Sequence, residues 1–188
     1  MVNMINLLFM EQEHIKLENN INKLLKKLSQ LEIDYKLFEH EAFYTVEESS
    51  KLKEKINLKG AHTKNLFLRD KKRKIFLLSC FDNTSVDLKL LKKVLPAQGN
   101  LSFGSAELLE EKLMIKPGSV SPYALINNLE KDVNFYLDKK ILDEEFCNFH
   151  PLINTKTIQT KTKNIIKFLK EYTDLNIIDF DNYKLINP

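Results

Sequence analysis

The residues best suited to take part in chemistry lie in a short loop at 116–123, KPGSVSPY, whose prolines and glycine constrain the backbone. Pro117 fixes its own φ, Gly118 permits a positive φ, and Pro122 pushes the residue before it toward extended geometry. Such a loop can direct successive backbone N–H groups outward, where they form an oxyanion hole or bind an anion. The same pattern is also typical of an ordinary turn between a helix and a strand, and the loop alone does not decide between the two.

Three further groups could take part in chemistry. Lys64 precedes the predicted strand at 65–69, and its ammonium could bind a phosphate or polarise a carbonyl, although a solvated strand end is the simpler interpretation. His150, which precedes a proline, could orient a partner, contact a ligand or serve a structural role. The basic turn at 71–74 could contact RNA phosphates, and a hairpin tip kept in solution by its charge is the equal alternative.

Several familiar catalytic patterns are absent from the sequence. It contains no GxSxG, GxxxxGK[ST], HExxH or GxGxxG motif, and its 4 Gly and 4 His are scattered. The 2 cysteines, Cys80 and Cys147, form no CxxC pair and no Cys/His cluster at zinc spacing, so we expect two buried thiols in a reducing, cytoplasmic compartment. We therefore expect no metal site and no cofactor.

Local patterns predict the elements that hold these groups. Helical spacing of leucines from Asn20 predicts an amphipathic helix, and a capping box at 45–48 predicts a second helix toward Leu58. A hairpin is predicted from 65–69 and 75–80. The other predicted elements are a strand at 35–39, a helix around 88–95 stopped by Pro96, a strand at 101–103, a helix at 106–114 capped by Ser105, extended segments at 123–128 and 133–137, a strand at 141–143 and a helix through 165–172. This alternation predicts an α/β (mixed α+β) fold, a single compact domain with a mixed, largely antiparallel sheet and packed helices.

Size and composition agree with one domain. The chain has 188 residues, of which 43% are hydrophobic, and its formal net charge is +3 from 29 basic and 26 acidic side chains. That balance permits a phosphate-bearing partner without requiring one, since a local stripe of Lys or Arg matters more than the total. The apolar run at 4–10 is too short to span a bilayer, so we expect no membrane partner. We divide the chain into an N-terminal extension at 1–18, a domain at 19–175 and a C-terminal tail at 176–188.

Three separated elements together resemble the YbaK/ProX family, whose members hydrolyse mischarged aminoacyl-tRNA. They are KNLFLRD at 64–70, PGSVSP at 117–122 and HPLINT at 150–155, in the family's order, with SFGSAELL at 102–109 between the first two. The resemblance extends over roughly residues 20–172 and is closest to the free-standing ProX-type branch. That branch resembles the editing domain inserted in some bacterial prolyl-tRNA synthetases. The fold implied is a compact mixed α/β domain of the YbaK type.

The resemblance implies hydrolysis of the ester between a wrong amino acid, most often alanine, and proline tRNA. The family's catalytic positions fall on Lys64, Gly118 and His150. The residues implied to bind substrate are Asn65, Ser119, Val120, Ser121, Pro122 and Asn154, and those implied to bind RNA are Arg69, Lys71, Lys72 and Arg73. In the family the loop backbone grips the aminoacyl group, the lysine engages the RNA end, and a ribose hydroxyl beside the ester helps to activate water. We accordingly expect the Lys64 ammonium to face the bend at Gly118 across a small hollow.

The implied partners are aminoacyl-tRNA(Pro) and, as an optional second partner, a prolyl-tRNA synthetase, with no DNA. Two alternatives remain open: deacylation of Cys-tRNA(Pro), as in the YbaK branch, and a non-catalytic module that binds tRNA or a synthetase. Pocket size is expected to spare Pro-tRNA, because the methyl group of alanine fits where the proline ring does not. Discrimination of alanine from serine or cysteine is harder, since small differences in an apolar pocket yield only about 1–3 kcal/mol.

Overall fold

A computed structural model describes residues 2–42 and 58–186. For residues 2–10 it describes the backbone but not the side chains. Its helices are α1 (Val2–Gln30), α2 (Leu88–Val94), α3 (Ala106–Leu113), α4 (Lys139–Leu142) and α5 (Thr162–Tyr172), with a 3-10 helix at Pro122–Asn127. Its strands are β1 (Tyr35–Glu39), β2 (Ala61–Arg69), β3 (Ile75–Phe81), β4 (Ser102–Phe103), β5 (Val133–Asp138), β6 (Phe146–Phe149), β7 (Lys156–Lys161), β8 (Asn176–Asp179) and β9 (Lys184–Ile186). The predicted helix that opens at Thr45 lies outside the described residues.

The nine strands of the described residues form one sheet in the order β1-β7-β6-β2-β3-β5-β8-β9, with the short β4 beside β2. The pairs β2–β6, β3–β5 and β5–β8 are parallel, and the other five are antiparallel. The predicted α/β fold with a mixed, largely antiparallel sheet is therefore confirmed. The central position of β3 follows from its sequence, IFLLSCF, which is apolar on both faces and buried over nearly its whole length.

Alternate residues of β2 and β3 face two separate hydrophobic cores. Phe67 and Leu77 contribute to a larger core that includes residues of α1, the 3-10 helix and α5. Leu68 and Leu78 contribute to a smaller core that α2 covers with Leu91. Because successive side chains of a strand point to opposite faces, neighbours in β2 serve different sides of the molecule.

The predicted extended segment at 123–128 is wrong, because these residues belong to the 3-10 helix Pro122–Asn127. The Ser121 hydroxyl caps this helix by accepting from the Tyr123 N–H, and Pro122 stands at the start of the helix, where a missing N–H costs nothing. Every residue of the helix is buried. Side chains that are apolar all round show neither a helical nor a strand period, so the pattern could not separate the two.

The predicted strand at 141–143 is also wrong. Residues Lys139–Leu142 form α4, a single helical turn that directly follows β5. The Asp138 carboxylate starts the turn by accepting from the Lys140 N–H. The sequence Asp-Lys-Lys suggested only a change of direction, and the capping role of the aspartate was not recognised.

The two ends of the chain carry regular structure. α1 runs without a break from Val2 to Gln30, so the predicted extension at 1–18 and the predicted helix from Asn20 share one helix. Within the predicted tail, β8 pairs with β5 and β9 pairs with β8. The division of the chain at 18 and 175 stays a prediction. No helix among the described residues, α1 included, is long and apolar enough to cross a membrane.

Candidate active site

The Pro/Gly loop contains a type II turn. Gly118 has a φ of 86°, and the Ser119 N–H donates to the Lys116 carbonyl over 3.1 Å. A proline followed by a glycine with positive φ is the sequence that this turn favours. Ser121 is extended, with φ −156° and ψ 148°, before the 3-10 helix begins. The backbone N–H groups of Gly118 and Val120 donate to no acceptor among the described residues, which leaves both as donors for a ligand.

Asn65 connects this loop to the sheet. Its Nδ2 donates to the Val120 carbonyl over 2.9 Å, and its Oδ1 accepts from the Ser79 hydroxyl over 2.6 Å. Ser79 lies opposite Asn65 in the β2–β3 pair and is fully buried. The predicted contact of Asn65 with substrate stays a prediction. The structure adds a positioning role, because this side chain fixes the carbonyl in the middle of the loop.

Lys64 lies on the other face of β2. Its Nζ donates to the carbonyl oxygen of Thr84, in the segment between β3 and α2. Lys64 and Asn65 are strand neighbours and point to opposite faces, with Lys64 on the side of the smaller core. Within the described residues the ammonium is thus directed to Thr84, and the expected arrangement, in which it faces Gly118 across a hollow, is not observed.

A cavity of about 420 Å³ joins the second and third motifs. Its lining consists of Glu13, His14, Lys16, Leu17, Glu110, Met114, Ile115, Lys116, Pro117, Ser119, Leu152, Ile153 and Asn154. Two residues predicted to bind substrate, Ser119 and Asn154, therefore share one cavity although they come from distant parts of the chain. Of the predicted catalytic residues in the described ranges, Lys64, Gly118 and His150 are not part of this lining.

α1 forms one wall of the cavity, which the sequence analysis did not anticipate. Asn20 holds the helix in place: its Nδ2 donates to the Met114 carbonyl over 3.2 Å, and its Oδ1 accepts from Asn127 over 2.9 Å. Nearer its start, Glu13 pairs with the Lys116 ammonium over 2.8 Å, an exposed ion pair of little energetic value. A buried asparagine in line with the leucines of the helix was the one signal that could have indicated this docking.

His150 stabilises the turn that carries the third motif. Its Nδ1 lies 2.8 Å from the Lys156 carbonyl, which can only accept, so Nδ1 carries the proton. Burial lowers the pKa of His150 and outweighs the hydrogen bond to the Lys156 carbonyl, which raises it; the ring of His40, 6.1 Å away between centroids, lowers it further. The imidazole is therefore neutral near pH 7, and its bond to Lys156 closes the segment that includes Asn154.

The predicted RNA-binding residues lie at the far end of β2 from the Pro/Gly loop. From Asn65 to Arg69 the strand extends about 13 Å, and the turn at 71–74 continues beyond it. Burial by itself raises the pKa of Asp70, but hydrogen bonds from the backbone outweigh burial and hold that pKa below its usual value. The backbone donors to this carboxylate are the N–H groups of Lys72, Lys74 and Gln98. The side chains at 71–74 are all exposed.

Neither cysteine offers a nucleophile. Cys80 and Cys147 are buried, as expected, and burial raises the pKa of each thiol to about 12. Both remain protonated near pH 7 and cannot attack an ester. Within residues 2–42 and 58–186, no three His, Cys, Asp or Glu side chains gather in a group that could hold a metal ion.

Comparisons of the sequence with known proteins point to one family. The family described as the aminoacyl-tRNA editing domain matches residues 40–168. The prolyl-tRNA synthetase associated domain-containing protein 1 of Xenopus laevis is 38% identical over 164 residues, which cover 85% of this chain and 96% of that protein. The prolyl-tRNA editing protein ProX of Acetoanaerobium sticklandii is 33% identical over 150 residues, which cover 78% of this chain and 88% of that protein.

Solved structures share the fold. A structure described as a candidate trans-editing enzyme for prolyl tRNA synthetase has a TM-score of 0.64 at 14% identity and covers 90% of this chain and 96% of its own. The structure of the hypothetical protein APE2540 has a TM-score of 0.64 at 12% identity and covers 84% of this chain and 97% of its own. At these identities the likeness establishes the architecture alone.

Proposed function

The chain belongs to the aminoacyl-tRNA editing domain family, as its three motifs predicted, and we propose that it removes alanine from mischarged Ala-tRNA(Pro) in trans. Membership establishes the enzyme class, an aminoacyl-tRNA deacylase. The names of two relatives refer to prolyl-tRNA or to prolyl-tRNA synthetase, which supports tRNA(Pro) as the RNA part of the substrate. The cavity shared by Ser119 and Asn154 is the single observation on which this function rests.

The lining of the cavity suits an aminoacyl group. Leu17, Ile115 and Leu152 supply apolar surface for a small side chain. The Ser119 hydroxyl and the Asn154 amide supply hydrogen bonds. The carboxylates of Glu13 and Glu110 pair with the ammonium groups of Lys116 and Lys16, which line the same cavity, so these charges offset one another.

The proposed reaction is attack of water on the ester carbonyl. A bond forms between the water oxygen and the carbonyl carbon, the bond from that carbon to the ribose oxygen breaks, and a proton passes from water to the ribose oxygen. Negative charge develops on the carbonyl oxygen during the attack. Pro117 and Ser119 of the loop line the cavity, and the adjacent backbone N–H groups of Gly118 and Val120 are the donors proposed to stabilise this charge at the cavity edge. The neighbouring ribose hydroxyl, which the substrate supplies, orients the water. No serine or cysteine nucleophile is then required.

In this mechanism Lys64 binds the RNA end and not the ester carbonyl. Its ammonium donates to the Thr84 carbonyl, a neutral acceptor, on the face of β2 that points away from the loop. A charged phosphate is a stronger acceptor than a carbonyl, so a phosphate of the 3′ end replaces Thr84 when the substrate binds. Lys64 therefore contributes affinity for RNA.

His150 and Asn65 act through the segments that they hold. The neutral His150 closes the turn that presents Asn154 to the cavity, and Asn65 fixes the loop at the Val120 carbonyl. Both are positioning residues, since His150 bonds to the Lys156 carbonyl, and Asn65 bonds to the Val120 carbonyl and the Ser79 hydroxyl. Movement of a reacting group by about 1 Å can cost about 100-fold in rate, which makes such positioning essential.

The test is a deacylation panel. The purified protein is incubated separately with alanyl-, cysteinyl- and prolyl-tRNA(Pro), and the loss of the ester is followed against the uncatalysed rate. We expect alanine to be released fastest and prolyl-tRNA to be spared. Preferential release of cysteine would assign the chain to the Cys-tRNA(Pro) branch. Binding of tRNA without hydrolysis of any ester would refute the enzyme and leave a non-catalytic tRNA-binding or synthetase-binding module.

A further inference from the structure

Seven cations of the β2–β3 turn and of α2 form a group that we name the basic surface. They are Lys71, Lys72, Arg73 and Lys74 of the β2–β3 turn and Lys89, Lys92 and Lys93 of α2. Residues 98–100 join the two groups: the Lys71 N–H donates to the Gln98 carbonyl over 3.2 Å, and Lys92 donates to Asn100 over 3.1 Å. Residues 98–100 thus contact both the turn and Lys92 of α2.

The cations of the basic surface lack the carboxylate partners that several other lysines have. Lys112, Lys116, Lys139 and Lys140 pair with aspartates or glutamates of the described residues, whereas isolated exposed lysines such as Lys163 and Lys170 do not. None of the seven cations of the basic surface forms an ion pair with a carboxylate of the described residues. Their charge is therefore left for an anion from outside the chain.

The two aspartates nearest to these cations are occupied by backbone groups. Asp70 accepts from N–H groups of the turn and of Gln98, and Asp87 caps α2 by accepting from the N–H groups of Lys89 and Leu90. Both carboxylates thus shape the backbone that presents the cations. The charge of Lys74 also helps to lower the pKa of Asp70, but neither carboxylate lies within ion-pair distance of a cation of the basic surface.

The spacing of cations in α2 adds a second argument. Lys89 lies three and four residues before Lys92 and Lys93, so the three side chains share one side of the helix, while Leu91 faces the smaller core. Like charges at these spacings destabilise a helix. A polyanion bound along this side of α2 would remove the repulsion among the three lysines. Without such a partner the repulsion remains.

We propose that the basic surface binds the acceptor-stem phosphates of the tRNA while its 3′ end reaches the cavity. This inference rests on the proposed function. From Asn65, which binds the loop, to Arg69, next to the turn, β2 extends about 13 Å, a distance that the unpaired 3′ nucleotides of a tRNA can bridge. RNA is favoured over an acidic protein because the proposed substrate itself carries a regular row of phosphates.

The test combines charge reversal with two substrates. In the variant Lys72→Glu/Lys93→Glu, we expect KM for full-length Ala-tRNA(Pro) to rise about tenfold, and the salt dependence of kcat/KM to weaken by a slope of about 1 for each phosphate that the variant no longer neutralises. Hydrolysis of an alanyl ester of the 3′-terminal trinucleotide should be unchanged, because that substrate lacks the stem. The matched control is Lys163→Glu/Lys170→Glu, which reverses two exposed lysines of α5.

Each outcome decides a different point. If Lys72→Glu/Lys93→Glu and the control Lys163→Glu/Lys170→Glu change KM equally, or if neither changes it, the proposal that the basic surface binds tRNA is refuted. A defect seen only when prolyl-tRNA synthetase is present would assign the surface to that protein instead. If the wild type hydrolyses neither substrate, the proposed function fails, and filter binding of uncharged tRNA to the same variants still tests this inference. Arg73→Glu/Lys89→Glu repeats the experiment with independent residues if the first variant unfolds.

Discussion

Replacement of Asn65 with Ala tests the connection between the sheet and the Pro/Gly loop. It removes the 2.9 Å bond to the Val120 carbonyl and the 2.6 Å bond from the Ser79 hydroxyl. Each bond contributes about 1 kcal/mol net, and a buried polar group left without a partner costs about 1–3 kcal/mol. Ser79 is fully buried and Asn65 is half-buried, so we expect the free energy of unfolding to fall by about 3 kcal/mol.

Thermal and urea unfolding measure this change. For a chain of this length, about 3 kcal/mol corresponds to a fall in Tm of about 6–12 °C. Ser79→Ala is the matched variant, because it removes one of the two bonds and leaves the loop attached. In the double variant Asn65→Ala/Ser79→Ala, the free energy of unfolding should fall by about 1 kcal/mol less than the sum of the two single effects. Each single variant already removes the bond between the two side chains, so the sum counts that bond twice.

Asn65→Asp separates attachment of the loop from general stability. The aspartate keeps an acceptor for Ser79 but places an oxygen where Nδ2 donated to the Val120 carbonyl. The two oxygens repel each other, and the loop shifts. We expect kcat for Ala-tRNA(Pro) to fall about 10–100-fold with little change in KM. The positioning role would be refuted if the effects of Asn65→Ala and Ser79→Ala on the free energy of unfolding were strictly additive and if Asn65→Asp left kcat unchanged.

Three other predictions concern the motif residues. Gly118→Ala imposes a side chain on a φ of 86°, so it should lower the free energy of unfolding by about 1 kcal/mol in a urea titration and reduce kcat while tRNA binding is retained. Lys64→Ala should raise KM for Ala-tRNA(Pro) more than it lowers kcat; a large kcat defect at constant KM would place the ammonium at the ester instead. The pKa of His150 is lowered in the folded state, so as the pH falls the unfolded chain takes up a proton before the folded chain does. The contribution of His150 to the free energy of unfolding is therefore full above about pH 6.5 and is lost as the pH falls below that value. Between about pH 7 and 5 the Tm of the wild type should therefore fall more than that of His150→Gln, and parallel curves would contradict this.

Elements with local signals could be predicted from the sequence. The β2–β3 hairpin follows from two apolar runs around a charged turn, and Asp70 fixes that turn through bonds to neighbouring backbone N–H groups. α3 begins where Ser105 accepts from the Leu108 N–H, as the predicted cap requires. In each case the decisive contacts lie within a few residues, so the sequence carries the information.

Elements that depend on distant partners were missed. β7 reads KTIQTK, a polar segment that becomes a strand because β1 and β6 pair with it on its two sides. The same applies to the cavity, whose walls come from α1, the Pro/Gly loop and the turn after β6. Ser119 and Asn154 were identified by their motifs, but no local rule places them in one cavity. Their proximity results from the tertiary fold.

The different directions of Lys64 and Asn65 follow from strand geometry. Two adjacent residues of a strand cannot both point to the same face, so a motif that joins a lysine to an asparagine serves two sides of the sheet. Asn65 fixes the loop beside the larger core, and Lys64 reaches Thr84 on the side of the smaller core, where α2 carries its lysines. A slip of β2 by one residue would exchange them and place an ammonium where the amide now donates to Val120. The buried Ser79 opposes such a slip, because its hydroxyl would lose the acceptor that Asn65 provides.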